Sequence, residues 1–276
     1  MSVQIPEVRV GEPLRFEALT VFPLFTDSDS PVEYDLSDEA ISSKTLTVEE
    51  VGEEGAVPEL LVNNKGDRRV LFLEGEELVG AKQNRILNIS ILVPARTKMK
   101  VPVSCVEQGR WAYKGRHFAP SGSHSPHALR RALKASVTRS VKADRKHRSD
   151  QGAVWHEVEK MQFALGVDSS TAAMADSFGE YEEKVASYRD NLKYAEGASG
   201  MAVAIGSKVV SFDVFDKPAT CKKVWDRLLS GFVLDALRTD ESEEEVRTGN
   251  VKQLLNASGD APWEPVETVG GGQEYR

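Results

Sequence analysis

The sequence predicts an α+β protein, and three observations carry that class. Short β-branched and aromatic runs crowd residues 14–106, a three-to-four apolar period replaces them between about 125 and 196, and a pair of extended runs returns at 201–215 ahead of a strongly apolar helix. The expected architecture is a β-rich N-terminal half, a helical middle layer, and a returning β-hairpin plus C-terminal packing helix on the same sheet system.

The elements follow in order. LRFEALTVFPLF (14–25), PELLVNN (58–64), RVLFLEG (69–75), RILNISILV (85–93) and KMKVPVSCV (98–106) are strand-like and separated by turn formers. Between the first two, LTVEEVGEE reads either as a helical turn capped by Thr47 or as a strand end. Ser125 and Pro126 suit the start of a helix whose Leu129, Leu133, Val137 and Val141 recur every four residues. A second helix aligns Trp155, Val158, Gln162 and Leu165 and stops at Gly166. A third begins near Ser169 and carries Tyr181, Val185, Tyr188, Leu192 and Ala195 to Gly197. MAVAI and KVVSFDVF flank Gly206-Ser207, a two-residue hairpin signal. Asp216 and Pro218 open a last helix with an apolar stripe from Cys221 to Leu237. A lone hairpin is marginal in water, so it is expected to join the first sheet in one domain over 10–238, with a helical insertion at about 125–196. Residues 257–276 read as a loose tail, rich in glycine, proline and glutamate.

Composition excludes several classes. No apolar run nears the roughly 20 residues that span a bilayer, so no membrane partner is expected. The opening MSVQIPEVRV lacks a basic start and a long apolar stretch, so no secretory signal is expected, and two cysteines make no disulfide framework. The expected location is cytoplasmic. A net charge of -8 argues against general nucleic-acid binding. The charge is uneven, with eight basic residues and one acid over 130–148 and an acidic run, TDESEEE, at 239–245. The basic segment 130–148 is the one candidate for meeting nucleic-acid phosphates, but it lacks interleaved aromatics, and a solvated helix face is the better reading.

Chemistry-bearing residues gather in 74–111. EGEELVG places Glu74, Glu76 and Glu77 together, suited to acid–base work or to a solvated turn. Lys82, Gln83, Asn84 and Arg85 form a polar knot that would hold an anionic or polar ligand through side chains, since no phosphate-binding glycine loop is present. In RILNISILV, Leu87, Ile89, Ile91 and Val93 make an apolar face. Asn84, Asn88 and Ser90 interrupt the other, as a wet edge or the wall of a polar cavity. Cys105 is either a buried small hydrophobe or a nucleophile, with Arg110 and His117 close in sequence and Glu107 on the same strand face. Cys221 is expected in the core. His117, His124 and His127 fall in a Gly/Ser/Pro loop without metal-ligand spacing, so no metal is expected there. The residues name no cofactor.

LEGEELVGAKQNRILNISILVPA followed by VPVSCVEQGRW resembles the signature of the ARG and Rhodanese-Phosphatase-superfamily-associated Protein domain family. LTVFPL and VAIGSKVVSFDVFDKPATCKKVWDRLL extend the likeness. The family's name refers to ADP-ribosylglycohydrolases and rhodanese-phosphatases, and so implies a role near ADP-ribose, NAD or nucleotide metabolism. Three functions stay open on these residues. The first is an enzyme on an ADP-ribose-like or nucleotide-like small molecule. In it Cys105 is nucleophile or redox-sensitive thiol, Glu76 or Glu74 is acid or base, and Lys82, Gln83, Asn84, Arg85, Glu107 and Arg110 bind the ligand. The second is a non-catalytic nucleotide or partner-binding module. The third is a structural protein whose polar motif is an internal network.

Overall fold

The computed structural model describes residues 6–28, 30–240 and 244–276. Part of the opening segment and part of the acidic 239–245 run lie outside the described residues. In chain order the elements are β1 (Arg9–Val10), β2 (Leu14–Phe16), β3 (Leu19–Phe25), β4 (Tyr34–Leu36), α1 (Ser37–Ser42), β5 (Leu46–Glu50), β6 (Glu59–Asn64), β7 (Arg69–Phe72) and β8 (Glu76–Gly80). Then come β9 (Arg85–Leu87), β10 (Ile91–Val93), β11 (Thr97–Cys105), β12 (Phe118–His124), α2 (His127–Asp144), α3 (Gln151–Leu165), α4 (Met174–Glu180) and α5 (Glu182–Asn191). The chain finishes with β13 (Gly200–Ile205), β14 (Lys208–Val214), α6 (Pro218–Ala236), α7 (Thr248–Gly259), β15 (Pro265–Val266) and β16 (Glu274–Tyr275). This is an α+β protein. Among the described residues no helix is long and apolar enough to cross a membrane.

One domain was expected over 10–238; the contacts divide the chain into two compact units. The first comprises Met1–Pro31 and Tyr181–Trp263. Its sheet runs β1-β3-β13-β14, with β2 also on β3. The returning hairpin therefore completes the sheet of β3, with Ala202 opposite Phe22. Even positions of the two strands, Phe22, Leu24, Ala202 and Ala204, pack with Val251 and Leu255 of α7. The α6 stripe is buried from Cys221 to Ala236, and Trp225 donates its indole N–H to Leu192 O at 2.8 Å. α7 was not anticipated by the sequence analysis, and its last residues run into the segment expected to be loose from 257.

The second unit comprises Val32–Glu180 and Glu264–Arg276. Its main sheet runs β12-β8-β9-β11-β6-β5, and the edges meet through an antiparallel bridge, Glu49 to His117. The sheet thus curls into a closed barrel. Pairing sets Val48 opposite Val62, Leu60 opposite Val101, Val103 opposite Leu87 and Cys105 opposite Arg85. All eight side chains are buried and line the interior. β5 settles the open reading of LTVEEVGEE: it is a strand whose Leu46, Val48 and Glu50 face inward.

Three other expectations change here. The run 85–93 is not one strand. It splits into β9 in the barrel and β10 in a separate sheet, β10-β7-β4. At the break Asn88 donates through Nδ2 to His147 O (2.9 Å) and accepts from Ser104 Oγ (2.5 Å), while Ser90 Oγ accepts from Glu74 N (3.0 Å). The polar positions at the break make a bonded kink, with Asn88 buried and Ser90 exposed. The histidine segment is strand β12, with His124 buried against β8 and His117 half-exposed. Residues 265–275, expected to be loose, form the β15–β16 hairpin. It is tied down by Gly271 N to Leu92 O (2.8 Å) and by His147 to Glu274 (2.9 Å).

Gly200 stands opposite Val214 and leaves no room for a side chain against β14. A Cβ there would stand 2.3 Å from Asp213 O, a backbone atom that cannot swing away. Gly200→Ala should lower stability by about 1–3 kcal/mol, read as a lower urea midpoint at unchanged m-value.

Candidate functional site

The barrel end beyond β8 and β11 is organised by a buried ion pair. Glu107 follows β11 and Arg110 lies three residues on, joined by Arg110 Nε to Glu107 Oε1 (2.8 Å) and Nη2 to Oε2 (2.6 Å). Arg110 sends its remaining donors to Ala81 O (2.6 Å), Ala112 O (2.8 Å), Gly80 O (3.2 Å) and Asn84 Oδ1 (3.2 Å). Its five N–H groups are thereby spent on the protein itself. Glu107 also accepts from Asn84 N (3.0 Å) and Thr171 Oγ1 (3.1 Å). Burial alone would raise its pKa, but the Arg110 and Asn84 hydrogen bonds prevail and hold it below the usual range. Gln83 donates to Glu107 O (2.9 Å) and accepts from Arg85 Nη1 (3.0 Å). Gln83, Asn84, Glu107 and Arg110 are thus brought together, and their polar groups face one another.

Arg85 is different. It is wholly buried on β9, opposite Cys105, and Trp111 lies over its guanidinium at 5.7 Å. Only Nη1 is hydrogen-bonded; Nε and Nη2 have no partner, and Nη2 stops 3.9 Å from Glu50 Oε1. Burial, reinforced by Arg110, lowers its pKa against the opposing effects of Cys105, Glu50 and Glu107. Glu50 accepts from Lys82 N (3.2 Å) with Oε1, and its Oε2 is unpartnered. Lys82 Nζ donates to Glu54 O (2.6 Å) and lies 5.2 and 5.1 Å from the Trp111 and Tyr113 rings, within cation–π range. The Cys105 thiol is buried and donates to Glu107 O (3.4 Å), while Gln151 bonds both its backbone N and O.

An open cleft of about 640 Å³ adjoins this network. Glu49 and Leu61 from the outside of β5 and β6, Glu50 from the inside, and Tyr113 and Arg116 from the following loop line it. Glu50 therefore belongs to the network and to the cleft. Tyr113 and Trp111 are about half-exposed. Among the described residues no cluster of three His, Cys, Asp or Glu side chains could hold a metal ion.

The acidic turn goes elsewhere. Glu76 accepts from Ser37 Oγ of α1 and from Leu73 N (3.1 Å). Glu74 pairs with Lys134 of α2 at 3.3 Å. The residue opposite Arg85 on β8 is Leu78, two positions beyond Glu76. Glu76 thus sits roughly 6–7 Å farther along its strand than the row holding Arg85 and Cys105. The expected grouping of Cys105 with Glu74 and Glu76 is not formed.

Glu77 points to the opposite face. It lies where β12 leaves register, between Pro120 opposite Leu78 and His124 opposite Glu76. It is fully buried, and burial pushes its pKa to about 8, with Glu107 and Asp176 adding to the rise and Ser121 opposing it. Both Glu77 oxygens lack hydrogen-bond geometry; the Ser121 hydroxyl donates to Ser123 O at 3.3 Å. Sequence reasoning missed Glu50, Tyr113 and Arg116, and gave Glu77 no separate role. The alternation Leu46, Val48, Glu50, with a carboxylate in an inward apolar set, was the available signal.

A carboxyl whose pKa is raised on folding stabilises fully below its unfolded pKa and loses that contribution as pH rises through the folded value. For Glu77 the window runs from 4.5 to about 8. Urea unfolding between pH 5 and 9 should show wild-type stability declining relative to Glu77→Gln, which cannot ionise. Parallel curves for the two proteins would show that Glu77 does not titrate in this window.

A family model for the ARG and Rhodanese-Phosphatase-superfamily-associated Protein domain matches residues 7–276. No curated protein and no solved structure matches. The match takes in the barrel, the buried network and the cleft beside it, and the chain belongs to the ARG and Rhodanese-Phosphatase-superfamily-associated Protein domain family.

Proposed function

We propose that this protein is a non-catalytic module that binds a nucleotide-like small molecule, of ADP-ribose type, in the cleft at the barrel end. The observation that carries this reading is the position of Glu50. Its carboxylate connects a concave, partly aromatic surface to a buried cation with unused donors. A volume of about 640 Å³ lies within the usual range for ligand sites, and barrel mouths are common places for them. Tyr113 offers a half-exposed ring for stacking a base, and Arg116, mostly exposed, offers a cation to a phosphate. Lys82 Nζ lies within cation–π range of the Trp111 and Tyr113 rings. The self-satisfied donors of Arg110 fit a scaffold role beside the ligand.

A second reading, turnover through Cys105, draws on its cross-strand position opposite Arg85. Against it stand the buried thiol and the diversion of Glu76 to α1. In native protein both Cys105 and Cys221 should resist iodoacetamide over hours and react once unfolded. Rapid native labelling of Cys105 would favour the enzyme.

A thermal-shift panel of ADP-ribose, NAD, AMP and adenosine tests binding directly. At least one should raise Tm in proportion to the logarithm of its concentration. Tyr113→Ala should weaken it by roughly 1–3 kcal/mol, the typical value of an aromatic–base stack. No shift from any of the four, or a shift undiminished in Tyr113→Ala, overturns the reading.

A further inference from the structure

The gap between Arg85 and Glu50 constrains what can occupy it. Nε and Nη2 form the side-on fork of a guanidinium, two parallel donors fixed by the planar group. In Arg85 both are unpartnered inside a buried site, and Glu50 Oε2, also unpartnered, belongs to the carboxylate 3.9 Å away. Gly55, at φ +75°, covers that carboxylate with bare backbone: a Cβ there would lie 3.2 Å from Glu50 Oε2, 3.3 Å from Lys82 Cδ and 3.4 Å from Trp111 Cζ2. The two groups stand at ion-pair distance under a glycine loop, with no hydrogen bond between them.

The charges on either side rule out simple ions. A phosphate or carboxylate would suit Arg85 but press against Glu50, with Glu49 and Glu53 on the same cleft wall. A cation would suit Glu50 but meet Arg85 and Lys82. What fits is a neutral group that accepts from nitrogen and donates to a carboxylate at once. A hydroxyl does both, and two adjacent hydroxyls match two parallel donors on one side and a two-oxygen acceptor on the other.

We infer that the Arg85–Glu50 pair recognises a vicinal diol, the kind of group a ribosyl ring carries, with the rest of the ligand lying in the adjoining cleft. This rests on the cleft being a ligand site. The ring or base then reaches Tyr113, and any phosphate faces outward toward Arg116, where it competes with Glu49, 3.7 Å from that guanidinium. Admission of the diol moves the Gly52–Gly55 loop off Glu50. Gly52, also at positive φ (+76°), supplies a second pivot.

Calorimetric titration of the full chain with adenosine, 2′,3′-dideoxyadenosine and AMP tests this. Adenosine and AMP should bind within threefold of each other, and dideoxyadenosine at least tenfold more weakly. Glu50→Gln, which keeps the shape and replaces one acceptor oxygen by a donor, should reduce adenosine to the dideoxyadenosine level and leave the latter unchanged. Equal binding of adenosine and dideoxyadenosine to the wild-type protein overturns the diol and leaves the cleft reading standing, with water as the occupant of the gap. Binding of AMP without adenosine overturns it in favour of phosphate recognition. Failure of all three to bind removes the cleft reading and the diol together. The wild-type comparison requires no variant, so a folding defect in Glu50→Gln leaves it decisive.

Discussion

The barrel end depends on the buried pairing of Arg110 with Glu107. Removing both charges from water is costly, and in a protein interior their attraction alone often fails to compensate. Here the remaining valences are also filled: three backbone carbonyls and Asn84 take the rest of the guanidinium, and Asn84 N and Thr171 take the rest of the carboxylate. The benefit is geometric. The turn after β8 passes through Gly80 at φ +123° and Ala81 at φ +37°, the latter a conformation disfavoured for a residue with a side chain. Arg110 bonds the carbonyls of both residues. That turn delivers Gln83, Asn84 and Arg85 to their places, so the buried pair fixes the site without reaching the cleft.

Seen this way, the density of polar residues in 82–110 has two sources. Most belong to a network built around Arg110, whose donors are all engaged, and Glu107. Arg85 and Glu50 are the remainder, adjacent to the network and incompletely matched to each other. A network that is fully satisfied rigidifies its surroundings, whereas an unsatisfied buried group is the place where a further partner gains most.

Local pattern made much of the fold legible. The Leu129–Val141 repeat, Gly166 as a helix stop and Gly206-Ser207 as a hairpin turn act within a few residues, and α2, α3 and the β13–β14 hairpin stand where they indicated. The polar motif was legible as a cluster because its members are close in the chain. Side-chain direction was not. Whether Glu76 or Glu77 faces the barrel interior depends on the register with β9 and on the irregularity in β12, both set by distant segments. Arg110 reads as a free cation until the carbonyls of the turn after β8 are placed around it. Closure through Glu49 and His117 joins residues 68 positions apart and leaves no local trace. α7, with glycines near both ends and only two buried residues, gave too thin a stripe to stand out from the tail.

The two kinds of unsatisfied group in the barrel wall are not equivalent, and the difference bears on function. Glu77 and Arg85 lie on opposite faces, since Glu77 pairs with Ile86 and Arg85 with Leu78. A carboxyl buried without hydrogen bonds can avoid its charge by keeping its proton, and with a pKa of about 8 Glu77 does so at neutral pH. Its lack of partners is then a modest cost that needs no ligand to explain it. A guanidinium has no such escape, because it stays protonated even where burial lowers its pKa. A buried arginine with two idle donors must be matched by something, whether water or ligand. Trp111 lies over the guanidinium, and Gly55 packs on the neighbouring Glu50, Lys82 and Trp111 side chains. Of the buried charges in this unit, Arg85 is therefore the one whose surroundings call for an external group, and the carboxylate beside it restricts that group to one that donates as well as accepts.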